Sequence, residues 1–290
     1  MTHTRGNEQS IRRALRRDVP ATVGIVVDEQ DFAAMRAYRS FTFDDHAGYL
    51  DHVEGLLRTL RDEVGHTTVA LFDPEDFARY CSEAGLDPDT SASRSRYTAE
   101  VAAAGATVAY AGQPLDSIVP LLVNRSVRLA TWEYARSLLG DLGSSTDCDE
   151  DVGRAAFDRA SQLLDKLLDA AGPGVHHLVC SVPARDEHLL AVLHAQRTPS
   201  APAVLDSSEG AEFATVLAVG IALESPGGVV LRTSTPDTPD RLHGWRLHHG
   251  RLVPLTEAEV FSAYCTDADT GEPLSPEPGV DYCAGLELDD

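Results

Sequence analysis

Lysine is almost absent from this chain: Lys166 is the only one among 24 basic residues, so nearly all positive charge is arginine. That leaves no P-loop lysine, and a Schiff-base role falls only to a residue inside the helical pattern SQLLDKLLDAA, where a surface helix position already explains it. No Gly-x-Gly-x-x-Gly follows any predicted strand and no Gly-x-Ser-x-Gly occurs, so a dinucleotide loop and a hydrolase nucleophile elbow both lack candidates. The five cysteines, Cys81, Cys148, Cys180, Cys265 and Cys283, are scattered, odd in number and form no Cys-x-x-Cys. A reduced, cytoplasmic protein with free thiols is expected. No apolar run approaches the roughly eighteen residues of a membrane span. The start, MTHTRGNEQSIRRALRRDVP, has charge where a secretory signal needs an apolar stretch.

Acid is what the chain has in excess. Its 46 acidic residues against 24 basic give a formal charge of −22, which repels phosphate backbones and anionic lipid over most of the surface. The expectation is no nucleic acid, no membrane, and a protein partner with a basic face or self-association. At 290 residues with 43% hydrophobic and 24% charged, the chain has the composition of a soluble globular protein of one large or two smaller domains.

Patterning gives the fold class as α/β. A short basic helix over 10–17 groups Arg12, Arg13, Arg16 and Arg17. ATVGIVV (21–27), TTVALF (67–72) and ATVAYAG (106–112) read as buried strands separated by helical stretches, the signature of parallel strands with crossover helices. A long helical pattern from Pro114 reaches Leu139. The acidic, turn-rich 141–153 follows as an exposed loop, separating an α/β region (1–140) from a helix–strand–helix continuation (154–197). That continuation is a helix to Ala171, the strand VHHLVCSV (175–182) and a helix over 186–196. From 211 to 290 the pattern turns antiparallel and β-rich. EFATVLAVGIALE and GGVVLRTS flank a hairpin at Ser225–Gly228, and GWRLHHGRLVPL forms a second one turning at His249-Gly250. A short helix capped by Thr256 with Glu259 three residues on, and an irregular tail, complete the chain.

One repeat carries the main candidate chemistry. VVDEQDFA (26–33) recurs as LFDPEDFA (71–78), each copy placing two aspartates three apart after an apolar strand. Ligands gather at the carboxyl ends of parallel strands, so Asp28, Asp31, Asp73 and Asp76 form a candidate Mg²⁺ site for a nucleotide or another small phosphorylated compound, with Asp28 and Asp73 as the ligands. Every repeated letter also has a structural job. Asp28 and Asp73 suit N-caps, Pro74 suits N1, Asp31 and Asp76 complement the helix dipole, and Val27/Phe32 and Phe72/Phe77 suit hydrophobic staples. Capping accounts for more of the letters, so no cofactor is expected on this reading and Mg²⁺ only on its rival.

Weaker signals have plain explanations. His176, His177, Cys180, His188 and His194 match no zinc spacing, and alternation sends His176 and His177 to opposite faces of a strand. Cys180 reads as a small buried hydrophobe. The single glycine of AYAGQP, Gly112, is weak evidence for an anion site at the next helix. DADTGE (267–272) has its glycine one position off a calcium loop. Trp245 with Arg246 and Arg251 could form a partner-binding surface, or a hairpin core.

The blocks VPATVGIVVDEQDFAAMRAYRSFTFDDH, HHLVCSVP and GWRLHHGRLVPLTEAEVFSAYCTDADTGEP resemble uncharacterised conserved proteins of Streptomyces and related actinobacteria. The resemblance implies a cytoplasmic bacterial unit of full length and no particular activity. With no catalytic constellation outweighing its structural explanation, the expected function is that of a non-catalytic regulatory or protein-interaction protein. The Mg²⁺-dependent enzyme is the alternative.

Overall fold

The computed structural model describes residues 21–144, 152–185, 187–267 and 270–288. The basic segment with Arg12, Arg13, Arg16 and Arg17 lies outside them, as does the acidic run 145–151 with Cys148. The protein is mixed α/β, with contacts dividing it into two compact units, Met1–Leu129 and Ala130–Asp290. No helix of the described residues is long and apolar enough to cross a membrane.

The N-terminal unit holds β1 (Ala21–Ile25), α1 (Glu29–Met35), α2 (His46–Val64), β2 (Thr67–Leu71), α3 (Pro74–Ala84), α4 (Ser91–Ala104), β3 (Thr107–Tyr110) and the first part of α5 (Leu115–Ser144). The helix starts follow from side chains that accept the orphan N–H groups of each first turn: Asp28, Asp45, Asp73 and Thr90 are the N-caps of α1 to α4. Strand order is β1-β2-β3. β1 and β2 run parallel, from Ala21 opposite Thr67 to Ile25 opposite Leu71. β3 departs from the expected parallel pattern and pairs antiparallel with β2. The cause is connection length: α3 and α4, of 11 and 14 residues, form an out-and-back pair that returns the chain to the end of the sheet it left. Ile25, Leu57, Val69, Phe77 and Ile118, all fully buried, anchor this unit's core.

In the C-terminal unit, α6 (Val152–Ala171) precedes β4 (Gly174–Ala184), β5 (Glu187–Arg197), β6 (Val204–Leu205), α7 (Ser207–Ala222), β7 (Gly227–Ser234), β8 (Asp240–His248), β9 (Arg251–Pro254), α8 (Glu257–Tyr264) and β10 (Val280–Cys283). The sheet order is β10-β8-β7-β4-β5-β6, with β9 also on β8. All pairs are antiparallel except β10 with β8.

Three expectations are corrected here. Residues 187–197 form a strand instead of the helix expected over 186–196. Leu189, Ala191, Leu193 and Ala195 are buried while Leu190 is 52% exposed, an alternation of period two that one helical face cannot produce. EFATVLAVGIALE, expected as a strand, belongs to helix α7, capped by Asp206. Its residues Phe213 to Gly220 are all buried, so no polar face marks a helical period in the sequence. Gly220 is required there, because a Cβ would stand 2.5 Å from Leu247 and 2.9 Å from Val182 side chains. Finally, α5 runs on through Gly140 to Ser144 and α6 begins at Val152, so both ends of the expected 141–153 loop are helical. The hairpin turn at His249-Gly250 is as expected, with φ of 48° and 68°, and Thr256 and Glu259 close a reciprocal capping box.

Candidate functional site

The doubled aspartate junctions lie at the same carboxyl end of the N-terminal sheet, because β1 and β2 are parallel neighbours. Their carboxylates, however, turn inward onto the backbone. Asp28 Oδ1 accepts from the Asp31 N–H at 2.8 Å, and Asp73 Oδ1 accepts from the N–H groups of Glu75 and Asp76 at 2.8 and 3.0 Å. Asp76 pairs with Arg79. The Phe72 and Phe77 rings stand 5.1 Å apart as the expected staple. Asp31 shows that the junctions sense one another: burial pushes its carboxyl above the usual range, and the charges of Asp28 and Asp73 push it further. Among the described residues, no group of three His, Cys, Asp or Glu side chains is placed to hold a metal ion.

The other candidates are dispersed. His176 is buried, with Nδ1 on Thr233 Oγ1 and Nε2 on the Gly172 carbonyl. His177 faces the opposite way, its ring 4.8 Å from that of His194, while His188 meets Ser181 Oγ. Complete burial raises the Cys180 thiol to about 12, which removes it as a nucleophile. Trp245 is buried at 1% exposure, its indole N–H donating to the Leu286 carbonyl. It therefore offers no surface, and only Arg246 and Arg251 of that trio are exposed.

What the sequence did not disclose is a groove of about 750 Å³ in the N-terminal unit, along the free edge of β1. That volume lies within the range of ligand sites. Helix α2 forms one wall with Tyr49, His52, Val53, Leu56 and Leu60, and α4 forms the other with Ser91, Arg94, Ser95, Thr98, Ala99, Ala102 and Ala103. From Tyr49 to Leu60 the groove spans about 16 Å, at the helical rise of ~1.5 Å per residue, room for roughly five residues of extended chain. Small side chains on α4, spaced by turns of the helix, keep it open. Gly24 lets α4 approach β1: a Cβ there would lie 2.7 Å from Thr98 Oγ1 and 3.1 Å from the Phe72 ring.

The strand itself forms the floor. In a parallel pair, alternate residues bond to the partner. Ala21 N–H reaches the His66 carbonyl and the Ile25 carbonyl accepts from Phe72 N–H, so Ala21, Val23 and Ile25 face β2. Thr22, Gly24 and Val26 therefore point their N–H and C=O groups outward. Val26 is already satisfied, donating to Tyr49 Oη at 3.1 Å and accepting from His46 Nε2 at 3.1 Å. Among the described residues, the backbone groups of Thr22 and Gly24 meet no partner on that side.

Phe41, Phe43 and Tyr49 close the end of the groove beside Val26, with ring centroids 5.0 to 5.4 Å apart. Their loop is pinned across to α4. The Arg94 guanidinium donates to Ser40 Oγ at 2.7 Å, and the Ser40 N–H donates to Asp89 Oδ1 at 2.7 Å, which holds that carboxyl below its usual range. In a chain of net charge −22, no acid of the described residues lines this groove; the ionisable residues among them that do are Tyr49, His52 and Arg94.

Residues 10–113 match the model of a domain of unknown function, DUF8829. The match contains every residue lining the groove. No curated protein and no solved structure matches the chain.

Proposed function

We propose that this chain is a non-catalytic regulatory or protein-interaction protein, and that its N-terminal unit binds by receiving an extended apolar segment of a partner along β1. The observation that carries this reading is the outer edge of β1, unpaired among the described residues, at the floor of a groove that none of their acids lines. An added strand would satisfy the Thr22 and Gly24 peptide groups and place alternate side chains against α2 and α4. The acidic exterior elsewhere suits a partner whose remaining surface is basic, which makes the association weaken with salt.

The test is selection of peptides from a random octapeptide display library on the full chain, followed by anisotropy titration. Selected peptides should lose binding to Thr22→Pro, which deletes an outward N–H and spares the backbone bonds to β2 while removing the Thr22–Thr68 hydroxyl contact, and to Ala99→Trp, which fills the groove; Thr22→Val, which removes that contact alone, should still bind. Selection of no peptide, or of peptides indifferent to both substitutions, overturns the reading.

The Mg²⁺-dependent alternative draws on one observation, the raised Asp31 carboxyl beside Asp28 and Asp73. It requires Asp28 and Asp73 to leave their N-cap positions. A thermal-shift screen with Mg²⁺, Mn²⁺ and nucleotides tests it, since a ligand at a hundred times its Kd adds about 2.7 kcal/mol of stability.

A further inference from the structure

The groove has two unlike ends, and the difference specifies what it receives. Beyond Gly24 the outer edge of β1 is no longer available, because Tyr49 and His46 occupy the Val26 peptide groups. The rings of Phe41 and Phe43 stand across the same end. A segment added to β1 must therefore stop pairing there, which suits a chain that ends at that point. Arg94 decides which terminus. It lines the groove at the pinned end, where its guanidinium donates to Ser40 Oγ and the Ser40 carbonyl, and it forms no salt bridge with an acid of the described residues. A guanidinium with unused donors and no lining acid attracts a carboxylate and repels an ammonium group.

Resting on the proposed strand addition, we infer that the groove captures the free C-terminus of a partner protein, running parallel to β1 with its terminal carboxylate at Arg94. Charge complementarity supports this occupant, since the partner's C-terminal carboxylate would meet the Arg94 guanidinium on a groove that no acid of the described residues lines.

The probe is an N-terminally fluorescein-labelled hexapeptide, Thr-Val-Thr-Val-Thr-Val, with a free C-terminus, compared with its C-terminal amide and with an amide carrying Asp as its last residue. Anisotropy should show the free acid binding roughly tenfold tighter than the plain amide, the effect of one charge-assisted hydrogen bond. Arg94→Gln should abolish that acid-to-amide ratio, measured within the variant so that any loss from a loosened Ser40 loop, which weakens acid and amide alike, cancels; a ratio that persists in Arg94→Gln refutes capture at Arg94. Arg94→Lys should restore part of it. Equal binding of acid and amide, with both lost in Ala99→Trp, refutes carboxylate capture and leaves strand addition standing. Preference for the Asp amide over the free acid refutes the C-terminal assignment. Binding of all three probes that survives Ala99→Trp and Thr22→Pro refutes both.

Discussion

Replacing Asp73 separates the two explanations of the doubled aspartate motif. Its Oδ1 accepts from two backbone N–H groups of α3, so Asp73→Ala strips the cap and should cost about 1 kcal/mol, and no more than about 2. Asp73→Asn keeps an acceptor of equal capping rank and loses only the charge–dipole attraction, about 0.3–1 kcal/mol. Relief of the repulsion on Asp31 offsets part of that. The expected order is wild type close to Asn, with Ala clearly lower. Urea unfolding is followed by far-UV circular dichroism, which reads both units, and by tyrosine emission, which weights the N-terminal unit through Tyr38, Tyr49, Tyr80, Tyr97 and Tyr110. Both tryptophans, Trp132 and Trp245, belong to the other unit, so their fluorescence reports the C-terminal unit's transition separately. If Asn proves as damaging as Ala, or if Mg²⁺ stabilises the wild type and not the Asn variant, the carboxylate charge serves more than the cap and the reasoning fails.

Asp31→Asn should stabilise the protein at neutral pH. A carboxyl whose folded pKa is raised contributes its full stability below the unfolded pKa and loses it as pH rises through the folded value, so the gain over wild type should vanish on acidification below the ordinary Asp range; a gain independent of pH would contradict this. Gly24→Ala should cost about 1–3 kcal/mol through the clash with Thr98 and Phe72. Adding Thr98→Ala should recover part of that loss in a double-mutant cycle; strict additivity would show that the two do not meet. Phe77→Ala, at a fully buried site, should cost about 3–5 kcal/mol by denaturant titration. A loss under about 1 kcal/mol would contradict its place in the core.

Much of the local structure was legible because local chemistry dictates it. The strand-to-helix junctions at Asp28 and Asp73 follow from capping and staple positions, and the His249-Gly250 turn and Thr256 box from residues with few alternative uses. Failures came where tertiary context decides. Helix α7 is buried on every side from Phe213 to Gly220, so that stretch carries no periodic signal. In 187–197 the leucines at 189, 190 and 193 also fit a helix, and only packing beneath α7 makes the alternation matter. The direction of β3 depends on how α3 and α4 fold back. The groove was hidden for a related reason: nothing local marks β1 as the outermost strand. Its traces were there in Gly24 within an otherwise apolar strand and in the small residues of α4, Ser91, Ser95, Ala99 and Ala102.

Hydrogen exchange at the Thr22 and Gly24 amides tests strand addition most directly. With the free-acid hexapeptide bound, both amides should become strongly protected while the Val23 amide, already bonded toward β2, changes little. Binding that leaves Thr22 and Gly24 exchanging as in the free protein would contradict the account.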